Sequence, residues 1–188
     1  MSIISIIFSF FRPDFQSIAD KSGGMLVFAD PGKERQGSVE NGLTKLKETT
    51  PDAKYVAVHD SARPLVTPKE IFDVVRDAKD YNAAVLGVPC KATIKESDDG
   101  STVLRTIPRS RLWEIHTPQV ILIETLLRGF KKVAEEDLEV TDDVSIVEAL
   151  GETVKLTLGE YTNLKITTPE DMDVAEAILA DRVNKSVA

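Results

Sequence analysis

Cysteine is nearly absent from this chain. Cys90 is the only one among 188 residues, which excludes an internal disulfide and leaves no thiolate cluster for a structural zinc site. A reducing compartment suits such a composition. Histidine is almost as scarce: His59 and His116 have no third ligand or nucleophile near them in sequence, so metal-site and catalytic-triad readings are poor. Positive charge is in deficit, with 23 Lys and Arg against 31 Asp and Glu and a net charge of -8. That balance argues against a nucleic-acid coat protein but leaves room for a local basic site facing an anion. Spans suited to a membrane are missing too. The apolar run Ser2 to Phe11 is too short to cross a bilayer and lacks the basic stretch of a secretory signal. It reads as a buried strand, or as a segment left uncovered by loss of something before it. Internal repeats, low-complexity tracts and linkers are not found.

What is present is an ordinary globular composition, 42% apolar and 29% charged, over a length that suits one domain spanning 1–188 with a full core. After a weakly helical segment, Asp14 to Lys21, Ser22-Gly-Gly24 is a stop. Met25 to Ala29 reads as a strand, followed by the polar loop Asp30 to Ser38 and a helix on which Val39, Leu43 and Leu46 recur, with Ser38 as its expected N-cap. Tyr55 to Val58 is a Val-rich strand ending abruptly in His59, Asp60 and Arg63. Thr67-Pro-Lys-Glu70 has the grammar of a capped helix start: threonine cap, proline next, glutamate three residues on. Ala83 to Val88 is the next buried strand. Strands alternating with helices in this way predict βαβ units and a largely parallel sheet.

The pattern breaks at residues 91–107, where two alternating stretches flank the turn Ser97-Asp-Asp-Gly-Ser101, predicting a projecting β-hairpin. A two-stranded arm is marginal alone, so it needs a partner, and a second copy of the same chain is the economical one. Beyond it come Leu112 to Gln119, a helix from about Ile123 to Glu135, and a helix opened by Thr141-Asp-Asp143. Two short strands, Val154 to Leu158 and Leu164 to Thr167, precede a last helix that starts at Thr168-Pro-Glu-Asp171.

Four polar stretches lie at strand ends or in loops: Gly32 to Ser38, Asp60 to Arg63, Arg109 to Thr117, and Thr141 with Lys165. Handling phosphates requires Arg and Lys for the oxygens, backbone N–H groups at helix starts, and a carboxylate for a metal or hydroxyls. The residue types match, yet each stretch has a plainer reading. Asp60 and Arg63 could pair only with each other in a surface loop. Arg105, Arg109 and Arg111 could be a solvated arm, Thr141-Asp-Asp143 a helix cap, and Lys165 the exposed face of a strand.

Taken together, Gly32-Lys-Glu-Arg-Gln-Gly-Ser-Val39, His59-Asp-Ser-Ala-Arg-Pro64, Leu112-Trp with Thr117-Pro-Gln119, Val140-Thr-Asp-Asp143 and Asn163-Leu-Lys-Ile-Thr-Thr-Pro-Glu-Asp171 are more specific. In this order and spacing they resemble the 2-C-methyl-D-erythritol 4-phosphate cytidylyltransferase family over about residues 9 to 182, several stretches being similar to the plant-type enzymes. The resemblance implies an α/β, Rossmann-like nucleotidyltransferase domain whose β-arm interlocks a homodimer. It implies attack of a methylerythritol phosphate oxygen on the α-phosphorus of CTP, with Mg²⁺ carried mainly on the CTP phosphates and pyrophosphate leaving. Gly32 and Ser38 would then contact the cytosine, and Asp60 and Ser61 the ribose and sugar phosphate. Arg63, Thr93, Thr117 and Thr141 would hold the second substrate, while Lys165 and Arg109, reaching across the dimer, would position the attacking phosphate. The family also has a first strand and a glycine-rich loop with an Arg and a Lys; nothing before Gly32 has that pattern. The expectation is therefore an N-terminally truncated chain with weak or no product formation, since losing even one preorganised donor costs about 10² to 10³ in rate. A pentitol-phosphate cytidylyltransferase and a non-catalytic, dimerising chain remain as alternatives. No nucleic acid or membrane partner is expected. A plant-type enzyme would work in the plastid stroma, and otherwise in the cytoplasm; no transit peptide is visible at this N-terminus.

Overall fold

The computed structural model describes residues 5–8, 12–24 and 26–187. The reading of Ser2 to Phe11 as one strand falls partly outside them; what is described is a strand over Ser5–Phe8. The chain divides into two compact units, Met1–Val56 and Ala57–Ala188, the boundary falling inside a strand.

In the first unit, β1 (Ser5–Phe8) pairs in parallel with β2 (Leu26–Ala29), in register Ser5 with Leu26 through Phe8 with Ala29. Helix α1 (Arg12–Lys21) runs between them, and α2 (Arg35–Thr49) follows, burying Leu43 and Leu46 as the helical spacing predicts. Its start differs from the sequence reading. The N-cap is Glu34, which makes no side-chain capping bond, and Ser38 lies inside the first turn. The Ser38 hydroxyl instead accepts from Gly32 N–H at 3.0 Å and donates to Glu34 O at 3.2 Å. The helix starts early because the loop folds back on it. A Cβ on Gly32 would stand 2.3 Å from the carbonyl carbon of Gly37, so only glycine permits the approach.

The second unit is built on a four-stranded sheet in the order β3-β7-β4-β8, from β3 (Tyr55–Val58), β7 (Trp113–Leu122), β4 (Ala83–Pro89) and β8 (Lys155–Leu158). Strand β4 is buried continuously from Ala83 to Val88, which is why it reads as an apolar run rather than an alternation. It pairs in parallel with β8 and antiparallel with β7. The parallel pairing follows from the βαβ pattern, whereas β7 makes the sheet mixed. Leu112 to Gln119 gave no strand signal because Pro118 lies within it, and proline argues against a central strand; the Thr117–Pro118 bond is cis.

Helix α3 (Pro68–Tyr81) packs on β4, β7 and β8, and its predicted capping box is present in both directions. Glu70 Oε2 accepts from Thr67 N–H at 2.9 Å while Thr67 Oγ1 accepts from Glu70 N–H at 3.2 Å. Glu70 is buried, and its other oxygen accepts from Glu160 N–H at 2.8 Å, so the cap also anchors the loop after β8. Helices α4 (Ile123–Glu136) and α5 (Asp143–Ala149) pack on β7, on each other and, for α5, on β4. Where they meet, a Cβ on Gly129 would stand 2.4 Å from Ile146 Cγ2 and 2.9 Å from Ile146 O. Gly129→Ala is therefore expected to destabilise the fold by about 1–3 kcal/mol through overpacking, outweighing the gain of about 1 kcal/mol in helix propensity. Urea denaturation checks it, and a variant at least as stable as the parent defeats the prediction. The last helix, α6 (Pro169–Val187), has the predicted start, with Asp171 Oδ2 accepting from Thr167 and Thr168 N–H.

The arm is present but short. Strands β5 (Lys95–Glu96) and β6 (Arg105–Thr106) pair antiparallel, closed by a turn in which Asp99 Oδ1 accepts from Ser101 and Thr102 N–H at 2.8 Å each. The second correction concerns Leu164 to Thr167, which is irregular rather than a strand. Its alternation reflects anchoring residue by residue: Asn163 is buried, and Ile166 N–H donates to Ala62 O at 2.8 Å.

Candidate active site

The tight turn after β3 places the polar payload. Arg63 N–H donates to Asp60 O at 3.0 Å, closing a turn with Ser61 exposed at its tip. Asp60 and Arg63 do not pair only with each other, as the plainer sequence reading had it. Asp60 Oδ2 meets Lys165 Nζ at 2.9 Å, across more than a hundred residues of sequence. The Arg63 guanidinium donates to the carbonyls of Asn163 at 2.7 Å and Ile115 at 3.4 Å. Burial draws its pKa below the ordinary arginine value while the Asp60 carboxylate opposes this; it remains a cation.

Strand β7 supplies the wall. The buried Thr117 hydroxyl accepts from Asp60 N–H at 2.9 Å and lies 3.0 Å from His59 Nδ1. His59 Nε2 lies 3.1 Å from Arg63 O, an acceptor, so Nε2 carries the proton and Nδ1 accepts from Thr117. Asn163, fully buried, donates from Nδ2 to Thr117 O at 2.9 Å. Four of the residues singled out in sequence, Asp60, Arg63, Thr117 and Lys165, are thus brought into one bonded cluster. Three buried polar atoms of the same neighbourhood, Arg63 Nε, His116 Nδ1 and Asn163 Oδ1, have no hydrogen-bond partner within the protein. Unpaired buried polar groups are costly and mark places where water or a ligand completes the bonding.

Both histidines are held neutral. Burial pushes His59 and His116 below the ordinary histidine pKa, the Asp60 carboxylate partly opposing this at His59 and the Arg63 cation reinforcing it at both. The unfolded chain therefore binds protons first as pH falls. This contribution to stability is complete above about pH 6.5 and is lost below it, as pH falls through the lower folded-state values. Thermal melting from pH 7.5 to 5 is expected to show a falling midpoint that flattens in a His59→Gln, His116→Gln double variant. An equal slope in parent and double variant removes the histidines as its cause.

The remaining candidates lie around this cluster. Thr141 is exposed just before α5, and Gln119 holds that start in place by donating to Asp142 Oδ2 at 3.0 Å and accepting from Val144 N–H at 2.9 Å. Two residues of one strand, Thr117 and Gln119, thus fix two separate turns. Thr93 is exposed at the root of the arm, and Arg109, in a short 3-10 turn, donates to Lys91 O at 2.8 Å. The root is tied to the Lys165 loop by Tyr161, whose hydroxyl donates to Pro89 O at 2.7 Å and whose ring lies 3.3 Å beneath Lys91 Nζ. Gly32 and Ser38 belong to the first unit, bonded to each other as described. Sequence reasoning missed Asn163, Glu70, Gln119 and Tyr161 as organisers, because their partners are 46, 90, 23–25 and 72 residues away.

The family model described as IspD, 2-C-methyl-D-erythritol 4-phosphate cytidylyltransferase, matches residues 2–181. The chain belongs to that family. The cytidylyltransferase match takes in the opening strand as well, beyond the start near residue 9 that the motifs supported. Among relatives, the chloroplastic cytidylyltransferase of Oryza sativa subsp. japonica is 53% identical over 84% of this chain and 52% of its own length. The Pelotomaculum thermopropionicum cytidylyltransferase is 45% identical over 80% of this chain and 62% of its own. The chain thus spans between half and two-thirds of these relatives. A crystal structure of 4-diphosphocytidyl-2C-methyl-D-erythritol synthase from Anaerococcus prevotii superposes with a TM-score of 0.85 and 29% identity, covering 95% of this chain and 81% of that one. The cytidylyltransferase from Thermus thermophilus gives 0.72 and 34%, covering 83% and 74%. The fold is that of the Rossmann-like cytidylyltransferases.

Proposed function

We propose that this chain serves cytidylyl transfer from CTP to 2-C-methyl-D-erythritol 4-phosphate in isoprenoid precursor biosynthesis. A phosphate oxygen of the sugar alcohol bonds to the α-phosphorus of CTP, the bond from that phosphorus to the bridging oxygen breaks, and pyrophosphate leaves. The observation that carries the reading is the Asp60, Arg63, Thr117 and Lys165 cluster. Two anions must approach each other, and an acidic protein permits it by bringing Lys165, from a separate loop, against the turn that carries Arg63. Lys165, half-exposed and oriented by Asp60, neutralises the attacking phosphate and the charge that develops at the α-phosphorus. Arg63 offers its remaining donors to the sugar phosphate, with Thr93 and Thr141 supplying hydroxyls and Thr117, whose hydroxyl is held by Asp60 and His59, forming the wall of the second-substrate site. Gly32 and Ser38 are assigned to the base, and Asp60 and Ser61 to the ribose and the sugar phosphate.

Among the described residues no three His, Cys, Asp or Glu side chains gather to hold a metal ion. The Mg²⁺ of the proposed reaction is taken as carried on the CTP phosphates, since this ion keeps its waters and takes few protein ligands. When bound it neutralises triphosphate charge. The arm exposes Ile94, Val103 and Leu104, which supports a homodimer in which the arm packs on a second copy and Arg109 serves its neighbour's site. The name of the rice relative supports a plastid location.

Pyrophosphate release measured with CTP and methylerythritol phosphate tests the activity, with ribitol 5-phosphate offered in parallel. Slow release that requires CTP and the methylerythritol compound is expected. Faster turnover of ribitol 5-phosphate reassigns the acceptor, and no release with either refutes the reading. Light scattering that finds only monomer at micromolar concentration would rule out Arg109 acting in trans.

A further inference from the structure

We infer that Asn163 is a positioning residue that holds the two cations of the site and the Thr117 wall as one unit. The inference rests on the proposed transfer reaction for what the unit is for, and on the geometry alone for its existence. Three chain segments meet at this residue. Its side chain donates to Thr117 O at 2.9 Å, fixing it to the middle of β7. Its main-chain carbonyl accepts from Arg63 Nη1 at 2.7 Å, fixing the turn after β3. Two residues later the same loop delivers Lys165 to Asp60 at 2.9 Å, and Ile166 N–H closes onto Ala62 O at 2.8 Å.

The ring of contacts is closed by Thr117, whose hydroxyl accepts from Asp60 N–H at 2.9 Å. Displacing the Asn163 carboxamide therefore disturbs both faces of the turn carrying Asp60 and Arg63. Asn163 is fully shielded from solvent, and the bonds it makes run to its neighbours in the site. In so enclosed a place a missing donor is not replaced by bulk water, and the Thr117 carbonyl is left unpaired. Lys165 and Arg63 would still be present but no longer held at one separation. Two-cation recognition of a phosphate depends on that separation more than on either charge.

Asn163→Asp keeps the volume and removes the donor; Asn163→Ala removes the side chain's contact outright. Each is compared with the parent by steady-state kinetics in both substrates and by amide hydrogen exchange. The expected result is a rise of about 10-fold or more in KM for methylerythritol phosphate, a smaller rise in KM for CTP through Asp60, and faster exchange at Asp60 and Arg63. A purely structural role would instead lower the amount of active protein and leave both KM values alone. Equal shifts in the two KM values, or exchange changes confined to residues 163–166, overturn the inference. If the variants do not fold, exchange on the parent decides: Asp60, Arg63 and Ile166 amides are expected to open together, and independent opening overturns it. A parent that fails to transfer cytidylyl groups refutes the proposed reaction, while the exchange result still judges Asn163.

Discussion

Lys165→Ala is expected to lower kcat/KM for cytidylyl transfer by about 10²- to 10³-fold, the usual consequence of removing one preorganised donor to a developing charge. The fold should barely register the change. Lys165 is about half exposed and its partner Asp60 is only partly buried, and ion pairs so placed contribute about 0–1 kcal/mol. Activity and stability thus separate cleanly at this position, which makes the variant informative. The melting midpoint should move little while turnover collapses. Full activity in a folded Lys165→Ala protein would remove the lysine from the chemistry, leaving its pairing with Asp60 as a surface contact only.

Arg63→Ala should behave differently, with binding and stability falling together. The guanidinium supports the carbonyls of Asn163 and Ile115 from a half-buried position, so truncation leaves both without their donor. Loss of stability of about 1–3 kcal/mol is expected, together with a rise of about 10²-fold in KM for the sugar phosphate, the scale of a lost charge-assisted bond. Arg63→Lys should restore little. An ammonium group is a point charge and cannot reach two carbonyls and a phosphate from one planar fork. Wild-type KM in the lysine variant would show that the charge alone matters here. Denaturant titration and substrate kinetics on the same preparations separate the two losses.

Much of the second unit was legible from local chemistry. The capping box at Thr67 and Glu70, the buried run of β4, the Asp99 turn and the arm are all written in neighbouring residues, and each is present. The first unit was legible less securely, because the Gly32 loop folds back on α2 and the N-cap is Glu34 rather than Ser38. Pro118 hid the central strand β7, since a cis proline is tolerated there by a pairing pattern that the sequence does not display.

The sequence by itself determined that the chain alternates strands with helices, that polar residues gather at strand ends, and that those residues, in their order, match one family. Periodicity and spacing are local, so they survive reading in one dimension. Which of those residues meet was decided only by the tertiary structure. Asp60 could have met only Arg63 three residues away; it also meets Lys165, whose loop is held beside the turn by Asn163, buried against Thr117. A buried hydrogen bond between residues 46 apart leaves no periodic trace, yet it sets which charges face each other.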